Sequence, residues 1–114
     1  MKIYNKKDFW KLPSGIFFAK GVKWSMDGFC VKVESYLNDF YYTNLVNIDS
    51  FNSEELCDRQ YEMFEKGSSY PINTKESRDG MFCEEDIFLV FEKEDLIEIR
   101  NYINTFLGEY ELSI

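Results

Sequence analysis

Apolar and polar positions follow two rhythms along the chain, and the rhythm changes near residue 50. Between Ile16 and Ile48 the apolar residues fall in short runs or at every second position, the spacing of strands. Ile16-Phe17-Phe18-Ala19 is a continuous apolar run, which predicts a strand over Gly15 to Ala19 covered on both faces. The Leu12-Pro13-Ser14-Gly15 turn launches it and Lys20-Gly21 is expected to stop it. Phe29, Val31 and Val33 alternate onto one face of a second strand, and Asp27-Gly28 supplies a hairpin turn between the two. After a turn at Asn38-Asp39, a third strand is predicted over Phe40 to Ile48. Short connections make this an antiparallel meander. Ahead of it, Asn5 as N-cap and Asp8 in the first turn predict a short helix over Lys6 to Leu12, ended by Pro13.

The second half starts with a capping signal, Asn52 followed three residues later by Glu55. A helix to about Lys66 would align Cys57, Tyr61 and Phe64 on one stripe, with Leu56, Gln60 and Met63 beside it and Gly67 as its C-terminal stop. Ser68 to Gly80 reads as a polar loop of about a dozen residues, a length more often functional or mobile than inert. Ile87 to Phe91 is the most apolar strand, hence central. Leu96, Ile99, Ile103 and Phe106 follow the 3.6 period of a last helix stopped by Gly108, leaving Glu109 to Ile114 as a tail. No repeat, heptad array or linker interrupts the pattern. The expectation is one α+β domain over residues 1–114: a small, mostly antiparallel sheet of about four strands, two longer helices and a short N-terminal helix.

Composition adds that the chain can fold: 45% of its 114 residues are hydrophobic and 18% aromatic. Its formal charge of −8 argues against binding duplex nucleic acid. The average conceals an asymmetry. Residues 1–32 hold seven lysines against Asp8 and Asp27, a balance of +5, whereas residues 33–114 hold six basic against nineteen acidic residues, a balance of −13. One end can therefore attract a small anion while the rest repels polyanions. Three cysteines, Cys30, Cys57 and Cys83, with no CxxC pair and no histidine, fit reduced thiols in a cytoplasmic protein better than disulfides or a zinc site. No signal-like or membrane-spanning apolar run is visible, so no membrane partner is expected.

Without histidine, imidazole-based catalysis is excluded, and no catalytic residue or cofactor is assigned. Glu84-Glu85-Asp86 with Asp79 could hold a divalent cation in a metal-dependent enzyme, but the spacing matches no calcium loop, and a solvated acidic turn explains it as well. The best candidate for binding is the segment around Lys20-Gly21-Val22-Lys23-Trp24. Lys20 and Lys23 would carry phosphate charge, Trp24 or Trp10 would stack a base, Phe17 adds an aromatic surface, and Arg78 would close over from the polar loop. The plainer account makes Trp24 core and the lysines edge-strand protection.

The segment with Phe9, Leu12, Pro13, Gly15 and Phe18, and the later one with Arg78, Asp79, Gly80, Met81 and Phe82, resemble small uncharacterised phage and prophage proteins. The resemblance implies a phage context and transfers no catalytic residue. Such proteins often act on host defences by sequestering a nucleotide signal or by binding a host protein. Two readings follow: a non-enzymatic, homo-oligomeric binder of a small nucleotide-derived anion, or an acidic charge mimic that inhibits a host protein through the C-terminal two-thirds.

Overall fold

The computed structural model describes residues 1–37, 39–79 and 86–113, with side chains through Gly108. Strand β1 (Lys2–Asn5) runs directly into helix α1 (Lys6–Trp10), because the Asn5 side-chain oxygen accepts the Asp8 amide at 2.8 Å. So short a helix has no independent stability. Phe9 anchors it, with no exposed surface, stacked on Phe88 at 4.0 Å between ring centroids and edge-on to Phe18 at 4.7 Å and Phe40 at 5.1 Å. Burying each ring contributes roughly 1.5–3 kcal/mol, so this phenylalanine cluster holds α1 to the sheet.

Among the described residues that sheet has six strands, all paired antiparallel, in the order β1-β6-β2-β3-β4-β5. Besides β1 they are β2 (Phe17–Val22), β3 (Ser25–Tyr36), β4 (Asp39–Asn44), β5 (Ser77–Arg78) and β6 (Ile87–Val90). Helices α2 (Ser53–Lys66) and α3 (Lys93–Ser113) complete an α+β fold. Directly paired residues share a face. Phe18, Cys30 and Val90 therefore point together into the core with Phe88 and Phe40, whereas Phe17, Val31 and Thr43 lie on the opposite face, as do Ile3, Leu89 and Ala19. Strand β6 lies between β1 and β2, as its apolar run requires.

Four local expectations change. The hairpin turn is Lys23-Trp24, closed by the Val22–Ser25 pair, and Asp27-Gly28 lies inside β3. The Asp-Gly signal marks a bulge instead: Phe18 faces Cys30 and Lys20 faces Asp27, so two β3 residues oppose Ala19, and Gly28 takes φ +87°. Lys20-Gly21 does not stop β2, which continues to Val22, and Gly21 is the one residue that fits, since a Cβ there would lie 2.0 Å from the Ser25 carbonyl oxygen. Strand β4 ends at Asn44, with Ile48 making only an isolated bridge to Ile72, while the polar loop contributes the edge strand β5. Helix α3 passes through Gly108 to Ser113, so that glycine is no stop and residues 109–113 are no loose tail.

Helix α2 has the predicted caps: Asn52 accepts the Glu55 amide at 2.8 Å, and Gly67 ends it in the left-handed conformation. Its inward face differs from the expected stripe. Leu56, Arg59 and Met63 are half-buried, with Cys57, Tyr61 and Phe64 exposed. Arg59 explains the rotation, because it donates to the Asp49 carbonyl, pairs with Glu55 at 2.8 Å and lies over the Tyr70 ring. The expected turn residue Asn38, together with Gly80, Met81, Phe82, Cys83, Glu84 and Glu85, lies outside the described residues.

Candidate functional site

Because β2 carries Phe17 on one face and Phe18 and Lys20 on the other, the sequence candidates are divided from the start. On the core face, Lys20 is enclosed by carboxylates: its ammonium donates to Asp79 and pairs with Asp86 at 3.2 Å. The side chains of Asp79 and Asp86 are 1% and 11% exposed. Burial alone would lower the Lys20 pKa, but its hydrogen bonds and charge contacts with the two aspartates outweigh this and raise it. Lys20 is thus a protonated cation already matched by two anions. It ties β2 to Asp79, next to β5, and to Asp86, ahead of β6.

Next to this triad is a small cavity of about 230 Å³, lined by Phe18, Asp27, Cys30, Tyr42 and Asn44 as well as Lys20. Burial pushes the Cys30 thiol up to about 11, with Asp27 adding to the effect and Lys20 opposing it. Burial likewise raises the Tyr42 phenol. Near neutral pH the thiol, phenol and ammonium all hold their protons, so none of the three can serve as nucleophile or base. Among the described residues no group of three or more His, Cys, Asp or Glu could hold a metal ion, and Glu84 and Glu85 of the acidic run fall outside them.

The other candidates lie apart. Lys23 and Trp24 form the β2–β3 turn, where Trp24 is 85% exposed and Lys23 sits over its ring at 4.9 Å, so Trp24 is no core residue. Trp10 is at the far end of β3, its indole N–H donating to the Asp39 carbonyl at 2.9 Å. Arg78 pairs with the same residue, Nε to the Asp39 carboxylate at 2.9 Å. Trp10 and Arg78 thus converge on Asp39, and Lys23 and Trp24 stand together, but the two pairs occupy opposite ends of a twelve-residue strand. The fold does not bring them together.

Phe17 leads to a different place. It packs on Phe29 at 5.2 Å, and Phe29 on Phe91 at 5.3 Å, forming an aromatic row on the face away from Phe9. Helix α3 rises over this row without closing on it. Between them lies a groove of about 900 Å³, lined by Phe17, Phe29, Phe91, Leu96 and Ile103 among others, with Lys93 and Arg100 at its exposed side. A large apolar concavity with a few charged groups is the usual form of a small-molecule site. Phe29, Phe91, Lys93 and Arg100 are the residues sequence reasoning passed over. The first two were visible only as strand positions. The other two belong to a helix whose distance from the sheet no periodicity reveals.

Sequence reasoning also counted Lys32 as part of an electropositive surface. It is 1% exposed, and its ammonium donates to the carbonyls of Trp10, at 3.2 Å, and Leu12, and to the Ser35 hydroxyl at 2.8 Å. Burial lowers its pKa. With Lys20 in its triad and Lys32 capping the end of α1, two of the seven N-terminal lysines are held inside the fold, while Lys2, Lys7, Lys11 and Lys23 remain exposed. No described helix is long and apolar enough to cross a membrane. No family model, curated protein or solved structure matches the chain, so its function rests on this geometry.

Proposed function

We propose that this chain is a non-enzymatic binding protein that captures a small nucleotide-derived anion in the groove between the sheet and α3. The observation that carries the reading is the aromatic row Phe17, Phe29 and Phe91 facing Lys93 and Arg100 across about 900 Å³. Phenylalanine faces stack on a base with little sequence preference, and a guanidinium pairs with phosphate through two parallel hydrogen bonds. Of the residues first nominated, Phe17 alone belongs to this site. In a phage-infected cell, the context that the two resembling segments imply, stoichiometric capture in the cytoplasm would withdraw a host defence signal.

Calorimetry with a panel of cyclic dinucleotides and cyclic ADP-ribose isomers tests it, with a long-chain fatty acid as the contrasting ligand. At least one nucleotide binds at about 1 μM or tighter, and Phe17→Ala with Arg100→Ala weakens it at least about tenfold. Binding of the fatty acid alone, or of nothing in the panel, overturns the reading.

A second reading is favoured by the outer face of α2, where Tyr61 (63% exposed) and Phe64 (88%) stand among exposed Glu54, Asp58 and Glu65. An acidic, aromatic helix face suits a basic groove on a host protein, the charge-mimic mode. A host protein retained at low salt, released at high salt and lost in Tyr61→Ala with Phe64→Ala supports it. Retention unaffected by those substitutions refutes it.

A further inference from the structure

Helix α3 is 21 residues long, about 31 Å at 1.5 Å per residue, and among its described side chains the partly buried ones all lie in its first two turns. Leu96, Ile97 and Ile99 are half-buried, whereas every residue from Asn101 to Gly108 is exposed. The projecting half is far from polar: Tyr102 is 75% exposed, Ile103 52%, Phe106 64% and Leu107 46%. It also contains Gly108, which costs a helix interior about 1 kcal/mol relative to alanine. A water-exposed helical arm of that length is marginal without tertiary support. The Cα radius of gyration, 16.4 Å, exceeds the about 13 Å of a compact chain of this size, consistent with elements extending from the body.

We infer that a second copy of the chain covers this arm, α3 against α3 about a two-fold axis. Charge is the first argument. Residues 101–108, NYINTFLG, carry none, in a chain that is 30% charged and has a net charge of −8. Where a two-fold axis passes through an interface, each residue near it meets its own copy, so any charge there would face a like charge. The arm is the surface on which two such acidic chains can meet without that repulsion. Area is the second. The exposed parts of Tyr102, Ile103, Phe106 and Leu107 amount to about 400–500 Å² per chain, given the 150–250 Å² of a large aromatic side chain. Two copies together bury close to the roughly 1,000 Å² that a specific interface needs, before the flanking turns add theirs. Ile103 also lines the groove, so dimerisation would fix one wall of it, but the interface forms whether or not the groove holds a ligand.

Sedimentation equilibrium of the ligand-free full chain tests this from about 1 to 200 μM. The expected mass rises to twice the 13.7 kDa of one chain, and Tyr102→Glu with Leu107→Glu, neither of which lines the groove, weakens association at least about 100-fold. The near-ultraviolet circular dichroism of the aromatic core checks that the double variant remains folded. A wild-type chain that stays monomeric throughout, or a folded double variant that dimerises as well as wild type, overturns the proposal. Because no ligand is present, either result is independent of the groove's occupant.

Discussion

Replacing Lys20 with methionine removes a charge and leaves the shape of the side chain nearly intact. In the folded protein the change takes from Asp79 and Asp86, whose side chains are 1% and 11% exposed, the ammonium that pairs with both. Removing one partner of a buried ion pair costs about 3–5 kcal/mol. Lys20 itself is one-third exposed, so water screens part of the interaction and the lower end, about 3 kcal/mol, is expected. Urea unfolding followed by aromatic fluorescence measures it. With a slope of about 1–1.5 kcal/mol/M for a small domain, the midpoint falls by about 2–3 M. A control separates the electrostatic cause from a packing defect. Lys20→Met combined with Asp79→Asn and Asp86→Asn, which removes both carboxylate charges, returns to within about 1 kcal/mol of wild type. A single-variant loss below about 1 kcal/mol, or no recovery in the triple variant, refutes the triad as a structural closure. It would also return Lys20 to consideration as a ligand contact.

Gly21→Ala drives a methyl group against the Ser25 carbonyl oxygen, 2.0 Å away, so the β2–β3 hairpin must shift and thermal denaturation shows a loss of about 3 kcal/mol or more; a fall in Tm of only a degree or two contradicts the close approach. In a Cys83→Ser background at pH 8, Ellman's reagent titrates the exposed Cys57 at once and Cys30 only on unfolding; equal rates would place Cys30 at the surface. The folded Cys30 pKa, about 11, lies above its ordinary 9.0, so its contribution is complete below pH 9 and is lost as pH rises toward 11, a difference that vanishes in Cys30→Ala. Lys32→Met leaves the Leu12 carbonyl without the Lys32 donor, and the Trp10 carbonyl with the Ser35 hydroxyl in place of two donors, and costs about 2 kcal/mol in urea, whereas a neutral or stabilising result would mean that the buried charge outweighs its three hydrogen bonds.

The elements whose cause is local were readable from sequence. Asn5 and Asn52 cap helices where their side-chain chemistry says they should, and the apolar run at Ile87 is an interior strand. Misreadings cluster where distant contacts override local signals. Asp27-Gly28 has the composition of a hairpin turn, but pairing with β2 uses its positive φ for a bulge and leaves the turn to Lys23-Trp24. Gly108 has the composition of a helix stop, yet helix continues on both sides of it. The candidate site was the least legible part, because a lysine reads as a surface cation unless its partners are known. Asp79 and Asp86 lie 59 and 66 residues from Lys20, and nothing in the pattern links them. The aromatic row was legible only as three unrelated strand residues.

The position of β6 has a consequence for how the chain acquires its fold. Strands β2, β3 and β4 join through two short hairpins and can pair as soon as they are synthesised. Strand β1 has no such option, for its one neighbour in the sheet is β6, which also occupies the open edge of β2. Phe18 pairs with Val90 across 72 residues, and Phe88 of the same strand supplies the ring on which Phe9 stacks. A nascent chain on the ribosome therefore carries its first strand unpaired, and the Phe9 ring without its stacking partner, until residue 90 has emerged. Loop closure over that distance, not hairpin formation, sets the rate at which the molecule becomes native.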